Sequence, residues 1–298
     1  MVKADWKKYW QLYLLVLPLI LFYIIWCYGP LYGIQIAFKD FSPRLGIMGS
    51  KWNGLKNFMD FFNSTYVWRL IRNTLYINFY NLVFGFPLPI IFALMLNEIR
   101  RSSFKRTVQT ITYMPYFISL VIICGLILDF GSSDGVFRYI ATMFGLAPVN
   151  LLGDQKYFRT VYVTSEIWQF LGWNSILFMS ALTSINSELF EAATIDGAGR
   201  LKQIWHVSLP GILPTIAILL VLRIGGMMSV GFEKIILLYN PQIYETADVI
   251  SSFVYRKGIV DANFGYATAV GLFNSLVNFI LVIVANKASA VMTETSLW

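Results

Sequence analysis

The sequence predicts an all-α protein that crosses a lipid bilayer six times, with one short helix between the fourth and fifth spans that stays outside the membrane. Three observations predict it. Of 298 residues, 57% are hydrophobic and only 13% are charged, and the mean hydropathy is +0.62, too little polar surface for a water-soluble fold. Six windows poor in Asp, Glu, Lys and Arg are each close to the ~20 residues that span hydrocarbon. One stretch, Glu191-Ala192-Ala193-Thr194-Ile195-Asp196-Gly197-Ala198-Gly199 followed by Leu209-Pro210 and Pro214, interrupts the apolar pattern with small and charged residues.

Lys3, Lys7 and Lys8 precede a charge-free run over 9–38. That run is longer than a signal-peptide core and has no small-x-small site at the right distance, so it reads as a retained first span, 12–37, preceded by a cytoplasmic segment 1–11. Pro18, Gly29 and Pro30 predict irregularity towards its far end. The second span, 73–96, carries Pro87 and Pro89, which should kink it and free backbone groups that need partners in the bundle or a wet cavity. The remaining spans are 108–128, 167–183, 212–230 and 267–286; the fifth is broken only by Arg223.

Orientation follows from the density of positive charge. Arg100, Arg101, Lys105 and Arg106 crowd one short loop, whereas the basic residues Lys39 to Arg72 belong to a long, mixed segment. The positive-inside rule therefore places both termini, the 97–107 loop and the 188–211 loop in the cytoplasm. Three segments of about 30 residues face outward: 39–72, 129–159 and 233–261. Short interfacial helices fit there, for example over 244–256 with Val249, Ile250, Phe253 and Val254 on one side.

Several chemistries are excluded. There is no phosphate-binding loop, no H-E-x-x-H pair and no nucleophile elbow. His206 is the only histidine, so a multi-histidine metal site is out, and its neighbours favour a partly packed loop residue. No catalytic residue is assigned. Cys27 and Cys124 lie in apolar runs and do not form a disulfide framework. A net charge of +7 is scattered through loops with no continuous basic face, which argues for membrane lipid and against nucleic acid. Within the 188–211 loop, Glu188 to Ala198 can form a short helix, and Asp196-Gly197 can bend or stop it.

These residues carry a resemblance. Glu191-Ala192-Ala193, Asp196-Gly197-Ala198, then Leu209-Pro210 and Pro214 resemble the loop signature of permease subunits of binding-protein-dependent ABC sugar importers, the maltose-transporter type. Arg72-Asn73-Thr74-Leu75, Leu96-Asn97-Glu98, and Phe104-Lys105-Arg106 through Met114-Pro115 to Ser119 are similar to that family too. Tyr28 to Phe41, Phe84-Gly85-Phe86-Pro87, Asp248-Val249-Ile250 with Tyr255-Arg256-Lys257-Gly258, and Thr295-Ser296-Leu297-Trp298 resemble the oligosaccharide and polysaccharide-fragment permeases of Gram-positive bacteria, over nearly the whole chain. Asn240-Pro241 departs from the Gly-Gly-x-Pro turn of many sugar permeases.

The resemblance implies a single transmembrane domain over 1–298 in the bacterial cytoplasmic membrane. It implies a coupling helix that sits in a cleft of an ATPase subunit. Ala192, Ala193 and Ala198 permit close approach there, Glu191 and Asp196 can pair with the interface, and Gly197 allows the return to the membrane. The implied partners are a second homologous permease, two ATPase subunits that bind ATP and Mg, and an extracytoplasmic solute-binding lipoprotein. No cofactor is assigned to this chain.

For the substrate, Arg223 inside a span needs a polar neighbourhood. It is expected to face the translocation cavity, where it could bind the carboxylate of a uronic-acid-containing oligosaccharide or, alternatively, snorkel or pair with a partner. Trp168, Gln169, Trp173 and Asn174 could stack on and hydrogen-bond to sugar rings, the competing reading of the tryptophans being the interfacial aromatic belt. A neutral sugar or other small solute is the alternative cargo. A secondary transporter or channel gives no reason for the 191–214 pattern, and an intramembrane enzyme lacks paired acids, a His cluster or a nucleophile and base.

Overall fold

The computed structural model describes residues 2–132, 134–145, 150–293 and 296–297. Thr295 and Trp298, residues 133 and 146–149 of the second outer segment, and the side chains of Lys3, Lys7 and Lys8 lie outside what is described. The chain folds as two compact units: one contains residues up to Ser64 with Val254–Leu272, and the other contains Thr65–Phe253 with the remainder of the C-terminus.

In the first unit, a helical run over Tyr9–Phe38 is long and apolar enough to cross a membrane. The expected irregularity is present: α-helix over Val2–Phe22 gives way to π-helix at Tyr23–Tyr28 and to 3-10 helix at Gly29–Phe38. Lys39–Asp40 then pairs antiparallel with Lys51–Trp52, and Phe38 stacks on Trp52 with ring centroids 5.6 Å apart. Asn57 Nδ2 donates to the carbonyls of Ala37 (2.9 Å) and Lys39 (3.2 Å). The start of the Phe264–Thr293 helix closes on this turn: a Cβ on Gly265 would stand 2.9 Å from the Lys39 carbonyl oxygen.

The second unit is organised by the 29-residue Gln155–Thr183 helix. Asp154 caps it, its carboxylate accepting from the Lys156 amide at 2.9 Å. The N-terminal part of the helix supplies Phe158, Tyr162 and Val163 to a core with Ile77, Cys124 and Ile235, and its C-terminal part supplies Phe178, Met179 and Leu182 to a core with Ala93, Leu96 and Ile212. Between these cores Gly172 lets the Ser102–Tyr113 helix come close: a Cβ there would fall 2.3 Å from the Thr112 carbonyl oxygen. Gly172→Ala is therefore expected to force the two helices apart and cost about 1–3 kcal/mol, the usual penalty of overpacking. Detergent unfolding of the purified protein reads this, and an unchanged midpoint would show that the helices separate freely.

Among the described residues, four helical stretches are long and apolar enough to cross a membrane: Tyr9–Phe38, Val67–Asn97, Leu120–Met143 and Phe264–Val291. A fifth is counted if Arg200–Gly211 and Leu213–Gly225, bent by 59°, form one span. The third differs from the expected 108–128. Pro115 sits in a 3-10 turn at Met114–Phe117 and Ile118 is extended, so Ser102–Tyr113 is a separate amphipathic helix and the apolar one starts at Leu120. Where the second was expected to kink, its α-helix gives way to a π turn at Asn81–Gly85 just before Pro87. In the outer 233–261 segment, Val249, Ile250 and Phe253 are buried in protein instead of lying along a membrane surface. His206 is exposed, its Nδ1 2.9 Å from the Lys202 carbonyl.

Candidate substrate cavity and coupling loop

Along the Gln155–Thr183 helix, residues 166, 170, 174 and 177 recur at the spacing of one face. With the Asn81–Gly85 turn and Arg223 they line two adjoining cavities of about 300 Å³ each. Asn81, Glu166 and Phe170 belong to one, Phe86, Leu177 and Leu219 to the other, and Gly85, Asn174 and Arg223 to both. At ~1.5 Å per residue the groove extends about 16 Å along the helix axis. The π turn explains why it opens here. Asn81 is itself buried, and Gly85 places no side chain opposite Ile167.

Arg223 makes no hydrogen bond or ion pair among the described residues. It sits on the last turn of Leu213–Gly225, beyond which the chain leaves helical geometry. Asn78 and Asn278 hold that break. Asn78 Nδ2 donates to the carbonyls of Met227 (2.9 Å) and Ser229 (3.2 Å), and Asn278 Oδ1 accepts from the Met228 amide (2.9 Å). The polar groups freed by Gly225-Gly226 are thus partnered by side chains, as irregular backbone at membrane depth requires.

The five residues expected around the substrate divide. Arg223 and Asn174 line the cavity. Trp173 shares the stripe but stacks face to face on Tyr116, centroids 4.0 Å apart and planes within 2°, with Phe117 edge-on. Trp168 falls on the opposite side of the helix and lines a separate apolar cavity of about 520 Å³ with Ile123, Phe130 and Phe137, so it does not join Arg223. Gln169 is buried in the bundle with its Oε1 unpartnered.

Glu166, one residue ahead of the expected 167–183 span, joins the cavity although the sequence did not single it out. It stands near the middle of the Gln155–Thr183 helix, one turn on from Tyr162, and lines the cavity with Arg223. A window drawn to exclude charge begins at 167 because Glu166 ends it. The helix continues through the charge because tertiary packing, not hydropathy, holds it.

The loop at 187–211 is built around its glycine. Asn186 caps Ser187–Ile195 by accepting from the Glu188 amide at 3.0 Å. The helix stops at Asp196, and Gly197 takes φ +74°, where the Ala198 amide bonds back to the Ala193 carbonyl. Gln203 Nε2 ties the following segment on by donating to Thr194 Oγ1 (2.9 Å) and the Ala198 carbonyl (3.0 Å). Glu191, Ala192 and Asp196 are exposed, Ala193 and Ala198 half-buried. Leu209 and Pro210 form the last turn before the 59° bend at Ile212, where Gly211 meets Ile185. Ile195 is 87% exposed and Leu201 75%, with Leu189 and Trp205 also in the open. Bare apolar side chains on a polar loop mark a surface that docks against a partner.

Over residues 85–289 the sequence matches the family described as "Binding-protein-dependent transport system inner membrane component". The chain belongs to this family. The resemblance seen in the 191–214 pattern is borne out. Among relatives of this permease family, the polygalacturonan/rhamnogalacturonan transport system permease protein YteP of Bacillus subtilis (strain 168) is 40% identical over all of this chain and 92% of that protein. Protein LplB of the same organism is 42% identical over 95% of this chain and 89% of its own length. A chain from the crystal structure of a bacterial alginate ABC transporter in complex with alginate pentasaccharide-bound periplasmic protein superposes with a TM-score of 0.90 at 43% identity, covering 99% of both chains. The fold is that of a polytopic ABC sugar permease, and the apolar helices make it a multi-pass membrane protein.

Proposed function

We propose that this permease carries uronic-acid-containing oligosaccharides through the cytoplasmic membrane as one half of an ATP-driven importer that works by alternating access. The observation that carries the reading is Arg223, a guanidinium that makes no ion pair among the described residues, in a cavity it shares with Asn81, Asn174 and Glu166. A cation at membrane depth needs an anionic or polar partner, and a sugar carboxylate supplies one. The polygalacturonan and alginate named for the similar proteins are acidic polymers, which supports the same chemistry.

Residues 1–298 then form one transmembrane domain with six crossings and both termini in the cytoplasm. The 187–211 loop meets an ATPase subunit through Leu189, Ile195 and Leu201. ATP and Mg belong to two such ATPase subunits, and a second homologous permease completes the pathway. The outer segments receive sugar from a solute-binding lipoprotein; a similar structure that includes a periplasmic protein supports that arrangement.

Arg223→Gln tests the substrate reading. In vesicles holding the complete importer, uptake of an oligogalacturonide is expected to fall at least ~10-fold, the effect of losing ~1.4 kcal/mol, while its neutral methyl ester changes little. Equal loss for both would overturn the acidic assignment in favour of a neutral sugar.

A further inference from the structure

The cavity holds more charge than Arg223. Glu166 lines it, one helical turn on from Tyr162. Behind Tyr162 lies Lys234, 4% exposed, with its Nζ 5.0 Å from the centroid of the Tyr162 ring and no hydrogen-bond partner. The charged and titratable groups that face this ammonium are Glu166 and Cys124. Tyr162 therefore has an ammonium at its ring face and a carboxylate one turn away on its own helix. A buried ammonium without hydrogen bonds is costly. Nothing in the packing calls for it, since Lys234 heads a helix whose other buried residues, Ile235 and Leu238, are apolar.

We propose that Glu166, Arg223 and Lys234 form a charge-trimmed site that stands one positive charge above neutral when empty, so that it binds one substrate carboxylate at a time and lets it go. The idea rests on the acidic-substrate reading and deepens it. Two cations alone would hold a polyanion in place and stall it. Glu166 removes one unit of that attraction, and Lys234 keeps the sum from reaching zero. Conduction through a charged pathway needs binding strong enough to admit the solute and weak enough to release it. Arg223 touches the sugar; Glu166 sets the strength of its field and Lys234 acts through Glu166, which makes Lys234 a positioning residue.

Glu166→Gln leaves two positive charges, Lys234→Met leaves none in excess, and the double variant restores one. In the assembled importer, equilibrium retention of a radiolabelled oligouronide is expected to rise roughly tenfold in E166Q and to fall roughly tenfold in K234M, the scale of one unit charge about 12 Å away in an effective dielectric of about 20. Transport should fall in both single variants, from over-tight binding in one and from weak entry in the other. E166Q/K234M should return uptake of the acid to within ~3-fold of wild type, since it restores the net charge. The methyl ester of the same oligomer should pass at near wild-type rate throughout.

A purely structural role for the three residues predicts parallel loss for acid and ester, and that result would overturn the proposal. So would retention moving in the same direction in both single variants, or a double variant no better than either. If E166Q fails to assemble, K234M alone decides, by an acid-selective loss or a parallel one. The outcome is separable from that of R223Q. An acid-selective R223Q with an unrescued double variant sinks the charge balance alone, whereas equal loss of acid and ester in R223Q removes the acidic substrate itself.

Discussion

Asp248→Ala is expected to destabilise the second unit by about 3–5 kcal/mol, the cost of breaking a buried ion pair from one side. Asp248 is fully buried. One carboxylate oxygen meets Arg69 Nη2 at 3.3 Å and the other accepts from Ser252 Oγ at 2.8 Å. Its carbonyl takes a hydrogen bond from Asn73 Nδ2, which also reaches the Glu245 carbonyl, while Asn73 Oδ1 accepts from Arg159 Nη2 at 2.8 Å. A single cluster thus ties the 233–261 segment to the Val67–Tyr80 and Gln155–Thr183 helices. The Arg69 Nε already lacks a partner, so truncation leaves its charge with the long, half-exposed contact to Glu245 at 3.7 Å and the face of the Tyr66 ring 5.0 Å away. The nearby Arg72–Glu245 pair is shorter, 2.7 Å, but both side chains are about half exposed, and Arg72→Ala should cost no more than about 1 kcal/mol. Thermal unfolding in detergent compares them. Equal midpoints for D248A and R72A would show that burial at Asp248 contributes nothing.

The 187–211 loop was legible because its signals are local. A short helix over 188–198 was expected and Ser187–Ile195 is found; the bend expected at Asp196-Gly197 is the positive φ of Gly197. The π turn ahead of Pro87 and the irregular end of the first span follow from prolines in the same way. Each is decided by residues within a turn of one another.

The cavity was legible only in part, because a charge count locates membrane depth but not helical phase. Arg223 was found by its charge. Glu166 was hidden by the same criterion, since a charge-free window must stop at it. Trp168 was grouped with Trp173 and Asn174 by proximity along the chain, yet five or six residues is about one and a half turns and puts it on the far side. Periodicity carried that signal. Lys234 could not be reached from sequence: it lies in what reads as an outer loop, and its place against Tyr162 depends on a fold of the chain across more than 70 positions. Asn240 is intermediate. It replaces a glycine turn by side-chain bonds, capping Pro241–Ile243 through the Gln242 amide and donating to the Leu152 carbonyl at 3.1 Å, and only the first of these is local.

Gly197→Val is expected to abolish transport, a loss of at least ~100-fold or ~2.7 kcal/mol, while ATP hydrolysis by the assembled importer persists. The cause is backbone alone. A Cβ at Gly197 would touch nothing within 4 Å, but φ +74° is left-handed, which costs an L residue about 1–2 kcal/mol and a β-branched one more. Valine therefore drives the turn towards another conformation, breaking the Ala198 to Ala193 bond and moving Ile195 relative to Leu201. Asparagine tolerates the left-handed region, so Gly197→Asn should retain transport within ~3-fold, a ratio of ~0.65 kcal/mol. Ile195→Asp addresses the surface directly. It leaves the turn intact but puts a charge on an 87% exposed apolar contact, and the ATPase should no longer co-purify. Glu191→Ala on the same face is expected to weaken coupling without changing the acid-to-ester preference set at Arg223. Wild-type transport in both G197V and E191A would withdraw the loop's role in coupling. Equal damage from G197V and G197N would assign the effect to the side chain and not to the turn.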